Sequence, residues 1–431
     1  MKLGDVCTKI ASGATPRGGK ESYRKSGISL IRSQNVYNEG FSREGLAFID
    51  AAQAESLSNV IVQAHDVLMN ITGESVCRAC QVPDDVLPAR VNQHVLIIRT
   101  KSDVLDPTFL RYYLLSPRVQ CELHLLSSNG ATRRALTKAM VAQFEVVMPH
   151  IQEQRAIASI LGTLDDKIEL NRRMNRVLEE MARGIFKAWF VDFEPVRAKA
   201  AGATGFPGMP QDVFDALPDS FVDSELGPIP KGWEVGVLDE VIDVNPARRL
   251  RKGDVAPYLA MADMPTNGHA PDNWEYRKFG SGMRFTNGDT LVARITPCLE
   301  NGKTAFVDFL PDDTVGWGST EYIVLRPREP YPDLFAYCLA RLARFREFAI
   351  SNMTGTSGRQ RVPASVLSHY LLVRPCKSLL ESFGEVVRPL FDAVSANMRE
   401  NRVLASSRDT LLPKLISGEI AVPAEAVALA D

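Results

Sequence analysis

Two short stretches carry residues suited to gripping and reading a polyanion. "SNGATRRALTK" (Ser128 to Lys138) and "MTGTSGRQRV" (Met353 to Val362) each set small residues before a cluster of long donors. Gly, Ser and Thr let backbone N–H groups approach phosphate, while Arg, Lys and Gln can fork onto base edges. The candidates are Arg133, Arg134 and Lys138 in the first stretch, and Arg359, Gln360 and Arg361 in the second. A solvated basic turn would account for one such loop, and recurrence at matching positions brings the two readings level. A second rank comprises Arg17, Arg32 and Gln34 from "SGATPR" and "IRSQNV", with Arg248, Arg249 and Arg294 further on. For these a solvated role is the simpler reading.

Other chemistries find little support. "GATPRGGKES" and "LENGKT" both miss the GxxxxGK[ST] spacing, the first because Lys20 falls one place late. Cys77 and Cys80 form a CxxC without the second ligand pair that a zinc site needs, so two ordinary thiols are expected. The six His are isolated. Asp165 and Asp166 read as the acidic start of a helix, favoured by its dipole, over a metal-binding nuclease pair. Neither a dinucleotide fingerprint nor an Asn-Pro-Pro-Tyr-type loop is found, which argues against S-adenosylmethionine binding. The expectation is a chain with no catalytic site, metal or cofactor.

The elements that must position these loops come in duplicate. At 431 residues the chain is long enough for two or more domains. A net charge of −2 excludes a uniformly basic coat but allows a local basic face. No apolar run approaches the ~20 residues that cross a bilayer, and the opening has no signal-peptide core, so a cytoplasmic protein without membrane contact is expected. From residue 136 to 190 the chain matches itself at a constant offset of 226. "FEVVMP" falls on "YLLVRP", and "NRRMNRVL" falls on "NMRENRVL" with six of eight residues identical. Weaker matches upstream pair "LGDVCTKI" with "LDEVIDVN", "HDVLMNIT" with "GDTLVARIT", and "HVLIIRT" with "YIVLRP". Such self-similarity is a tandem duplication of a mixed α+β domain followed by a helix.

Both helices show an apolar seam of period 3.5. One row of the first runs Ile157, Leu164, Asn171, Leu178, Ile185, with Leu161, Ile168, Asn175, Ala182, Trp189 beside it. In the second the rows are Phe383, Leu390, Asn397, Leu404, Leu411 and Val387, Val394, Asn401, Arg408, Leu415. Mutual pairing is expected over packing of each helix on its own domain, with Asn171 and Asn397 penalising wrong registers. Over some 35 residues at 1.5 Å each, an antiparallel pair makes a rod roughly 50 Å long that holds two related domains in opposite orientation.

With these features the chain resembles the specificity (S) subunits of type I restriction–modification systems. The resemblance rests on the duplicated plan together with "SGATPR", "IQEQRAIASILGTLDDKIELNRRMN", "KAWFVDFEP" and "LGPIPKGW". It implies two pseudo-twofold-related target-recognition domains, separated by an antiparallel coiled coil of two long helices. Each domain would read half of a split site on double-stranded DNA. Two methyltransferase (M) subunits would dock on the spacer, two motor-nuclease (R) subunits would join for restriction, and the chain itself would be non-catalytic. The expected boundaries are a first domain at 1–150, its helix at 151–197, a linker at 198–232, a second domain at 233–375, its helix at 376–420 and a tail at 421–431. Two departures stand out. Pro413 is expected to interrupt the second helix where the first has Lys187, and "WFVDFEP" has no second copy. The two docking ends are therefore expected to be unequal. The alternative is a duplicated coiled-coil scaffold that binds only proteins.

Overall fold

The computed structural model describes residues 1–16, 18–128, 134–356 and 358–428. It divides into two compact units: Met1–Ile168 with Arg402–Asp431, and Glu169–Asn401.

Unit 1 is built on two four-stranded sheets. The strands of these two sheets in chain order are β1 (Cys7–Ser12), β2 (Ile28–Ile31), β3 (Ala47–Ile49), β4 (Ile61–Val62), β5 (Val67–Asn70), β6 (Ala79–Gln81), β7 (Ala89–Val91) and β8 (Val95–Thr100). The helix-side sheet has the order β1-β8-β5-β6, and the outer sheet β3-β2-β7-β4 with β2 and β7 parallel. Successive side chains of a strand face opposite ways, and here both faces are buried. Leu96 and Ile98 of β8 enter one core beside Ile157 and Leu161, while Val95 and Ile97 enter the core of the outer sheet. A strand covered on both faces needs an unbroken apolar run, which is why "HVLIIRT" does not alternate.

Unit 2 repeats this design strand for strand. The strands of its two four-stranded sheets are β9 (Ile242–Val244), β10 (Val255–Leu259), β11 (Glu275–Lys278), β12 (Met283–Phe285), β13 (Thr290–Ala293), β14 (Thr304–Phe306), β15 (Gly316–Gly318) and β16 (Tyr322–Pro327). The sheets are β9-β16-β13-β14 and β11-β10-β15-β12, the latter with β10 and β15 parallel. Ile323 and Leu325 face the helix-side core, and Tyr322 and Val324 the outer one.

Two long helices, α1 (Ile151–Phe190) and α2 (Lys377–Ser417), contribute to both units. Every position of the four seam rows is buried or half-buried. In unit 2 the Asn171 amide donates to Asn401 (2.9 Å) and Glu400 (2.7 Å), and that of Asn397 donates to Asn175 (2.8 Å). Contacts on α2 thus move backward as those on α1 advance, so the helices run antiparallel. Further along, Phe186, Trp189 and Phe190 surround Phe383 at ring-centroid distances of 5.7, 6.3 and 5.1 Å. In unit 1, Ile157 and Leu161 share a core with Leu412 and Leu415.

Three local expectations are corrected. Asp165 is not at a helix start, because α1 begins at Ile151. Pro413 does not interrupt α2, which continues to Ser417; Leu412 and Leu415 are buried on either side of it, and their burial offsets the missing backbone bond. Nor is 198–232 a free linker. Val213, Phe214, Leu217 and Ile229, with Trp233 just beyond, lie in the core of unit 2. Ala, Gly and Pro dominate the segment's composition, but its few large apolar side chains anchor it.

Asp165 instead fastens both helices to unit 1. It meets Arg111 at 2.9 Å and Arg408 at 2.7 Å, and accepts the Tyr112 hydroxyl at 2.7 Å. Burial pushes its carboxyl up, but Arg111, the Tyr112 hydroxyl and Arg408 outweigh this and hold it below its ordinary value of 3.8. A depressed carboxyl contributes stability above the unfolded pKa, and the contribution fades as pH falls through the folded value. Asp165→Ala leaves the half-buried Arg111 guanidinium without its acid, while Arg408 keeps Asp409 at 2.8 Å, and is expected to cost about 2 kcal/mol near neutral pH. Its deficit relative to wild type should shrink below about pH 4. Denaturant melts at both pH values check this, and an equal deficit at both would refute it.

Candidate nucleic-acid interface

The paired basic loops dock in the same way in the two units. In unit 1, Gly73 N–H donates to the Arg134 carbonyl (3.1 Å) and Leu136 N–H to that of Ile71 (2.8 Å), just beyond β5. In unit 2, Thr296 N–H donates to the Gln360 carbonyl (3.0 Å) and Val362 N–H to that of Arg294 (2.9 Å), just beyond β13. The bridges Thr72 to Ala135 and Ile295 to Arg361 complete the match. Each loop is therefore held at its C-terminal side against the end of a central strand.

The candidate side chains differ in what they are free to do. Arg133 and Arg17 lie outside the described residues. Arg134 is exposed, as is Lys138 at the start of a short helix whose cap is Thr137. Arg359 is exposed and Gln360 half-buried. Arg361 is committed elsewhere: its Nη2 and Nε meet Glu321 Oε1 at 2.7 and 2.8 Å. Arg248 likewise grips the fully buried Asp289 at 2.7 and 3.0 Å. Arg32 and Gln34 both donate to the Gly45 carbonyl and brace a turn. Arg294 is half-buried with no partner for its Nε among the described residues, and Arg249 is exposed. Arg134, Lys138, Arg249, Arg359 and Gln360 are left with side chains available to a ligand.

The remaining clusters are built for structure. Cys77 lies in the helix-side core and Cys80 in the outer core, and burial pushes both thiols up to about 12. Nucleophilic thiols need the opposite shift. His269 Nε2 and the Ser395 hydroxyl both meet Asp308 Oδ2, the His at 2.9 Å. The carboxylate therefore sits between Ser and His, whereas a nucleophilic triad places His between Ser and the acid. Among the described residues no group of three His, Cys, Asp or Glu could hold a metal ion.

One surface was not anticipated from the residues. Leu170, Met174, Val177 and Met181 form an apolar ridge on α1 outside the seam, each 46–54% exposed. Their spacing of four, three and four residues is one helix face, so the signal was present in the periodicity. At the 226 offset α2 carries Ala396, Glu400, Val403 and Ser407, and only Val403 is large and apolar.

A duplicated two-sheet domain, each copy leading into one of two antiparallel helices and presenting an anchored basic loop, defines a modular protein built from two related units. Residues 1–180 match the model of the type I restriction modification DNA specificity domain. A type I restriction enzyme specificity subunit of Haemophilus influenzae, HindI, is 23% identical over 376 residues, covering 77% of this chain and 81% of the relative. Another, MjaIX of Methanocaldococcus jannaschii, is 26% identical over 349 residues, covering 78% and 74%. In fold the chain resembles the S subunit of a type I restriction-modification system from M. genitalium, with TM-score 0.55, 14% identity and coverage of 96% and 95%. Over about three quarters of its length the chain is thus similar to type I restriction–modification specificity subunits.

Proposed function

We propose that this chain reads a bipartite sequence on double-stranded DNA and directs adenine methylation, and cleavage of unmethylated sites, by partner subunits. Each unit takes one half-site, and the helix pair sets the gap. The observation that carries the reading is the strand-for-strand duplication with unlike loops. A shared scaffold preserves placement, while "RRALTK" and "RQRV" present different donors to different bases. A gel shift with the methyltransferase subunit tests it. Salt-dependent, sequence-selective binding is expected, and binding without selectivity would favour a protein-interaction scaffold.

The ridge from Leu170 to Met181 supports docking of a methyltransferase subunit through a helical face. Four half-exposed apolar side chains on an otherwise charged helix are poorly suited to water. Each is already about half buried, so completing its burial would contribute about 1 kcal/mol. Met174→Glu with Val177→Glu is expected to weaken copurification with the methyltransferase subunit more than tenfold, with the melting temperature of the chain unchanged. Val403→Glu on α2 should do much less. Equal binding by all three chains would remove the ridge from the interface. Two methyltransferase subunits and, for restriction, two motor-nuclease subunits complete the proposed assembly.

A further inference from the structure

We infer that in each unit the loop joining the first strand of the helix-side sheet to the first central strand of the outer sheet grips DNA phosphates. The inference deepens the reading above and depends on it. In unit 2 this loop runs from β9 to β10 and contains "RRLRK", Arg248 to Lys252, with four basic residues in five.

The loop is fixed along its length before any ligand arrives. At its start, Asn245 N–H donates to the Val324 carbonyl (2.7 Å) and the Asn245 side chain accepts from Val324 N–H (2.9 Å). In the middle, Arg248 is pinned by Asp289, Arg284 donates to the Arg248 carbonyl (2.6 Å), and Leu250 packs on Ala256, Phe279 and Trp317. At its end, Gly253 N–H donates to the Phe279 carbonyl (2.8 Å), and Phe279 N–H donates to that of Asp254 (2.7 Å). Anchoring consumes Arg248 and Leu250 and leaves the side chains between and beyond them outside.

Those side chains are Arg249, Arg251 and Lys252, all exposed and without an ion-pair partner among the described residues. The nearest acid in sequence, Asp254, accepts the Arg251 backbone N–H at 3.0 Å. Edge strand β11, next to the loop's end, adds exposed Lys278 and Arg277; the latter stacks over Tyr258 at 4.5 Å and meets Glu275 at 2.6 Å. A duplex carries about one charge per 1.7 Å of axis, so several fixed cations on one surface gain affinity by displacing counterions. Lysine on an open edge also discourages strand pairing, but that role needs none of the three loop cations.

The same connection in unit 1 provides the independent support. It joins β1 to β2, and Gly13 N–H donates to the Asn92 carbonyl (3.2 Å) while Arg24 N–H donates to that of Phe48 on β3 (2.9 Å). β3 and β11 hold the same edge position in their sheets, so both loops finish against the same strand. This loop also exposes cations at that end: Lys25, and Arg24 beside Asp50 at 3.2 Å.

The test measures binding of the full chain to a random-sequence duplex of about 30 base pairs over a salt series. The triple change Arg249→Ala, Arg251→Ala, Lys252→Ala is expected to lower affinity about tenfold or more and to flatten the salt slope by about 3. Arg249→Lys with Arg251→Lys keeps the charges and should keep the slope, which separates phosphate contact from damage to the fold. A triple variant with wild-type affinity and slope overturns the inference. If wild type and that variant still direct methylation of one defined sequence, the proposed function of the chain survives. Wild type showing neither salt-dependent duplex binding nor sequence-selective methylation defeats both.

Discussion

Replacing residues 1–150 with the corresponding unit of a type I specificity subunit is expected to change one half of the methylated sequence and leave the other half intact. Methylation of the original site should drop by at least about thirtyfold. Each mismatched base pair costs about 1–3 kcal/mol, so a half-site differing at two or three positions forfeits that much affinity. The exchange is feasible because the graft ends before α1. Ile157 and Leu161 remain to meet the incoming sheet, and Leu412 and Leu415 stay with them. The recipient core must still close on those four side chains, so a donor with the same apolar residues there is required. A graft that changed both halves would mean that the two units do not read independently.

Lengthening both helices by one heptad should widen the gap while leaving both half-sites unaltered. Seven residues add about 10.5 Å at 1.5 Å each, which is about three base pairs of duplex at 3.4 Å. The insertion must be made in both helices at matching points. In one helix alone it would slide Asn171 away from Asn401 and Asn175 away from Asn397, leaving one buried and three half-buried amides without these partners. The single insertion is therefore expected to cost stability as well as change spacing. Sequencing of methylated sites from cells carrying the double insertion reads the gap directly, and an unchanged gap would remove the helices from that role.

Much of this architecture could be read from the residues. The seam rows announced both helices, because a 3.5-residue repeat sustained over about five heptads rarely arises except where helices pair. Runs such as "HVLIIRT" and "EYIVLRP" marked the central strands, since burial on two faces requires apolar residues throughout. The outer sheets were not legible. Strands such as Ile61–Val62 are too short to show a period, and the parallel pairing of β2 with β7 joins residues about sixty apart. Pro413 and the stretch 198–232 misled because local propensity yields to burial of a few large side chains nearby.

The candidate interface was legible in its loops but less so in its side chains. The matched positions of the two basic loops follow from the duplication. Which arginines remain free depends on acids distant in sequence: Glu321 claims Arg361 and Asp289 claims Arg248, each about forty residues away. Composition shows the charge but not the partner. Conversely, Arg251 and Lys252 were passed over, although the structure leaves both exposed on a loop anchored at either end.

Mapping methylated adenines genome-wide, in cells that supply this chain with its methyltransferase subunit, tests the central claim most directly. One sequence in two unlike parts is expected, separated by a fixed run of unspecified bases, with methylation lost when the chain is removed. A single uninterrupted motif, a gap of variable length, or methylation indifferent to the chain would contradict it.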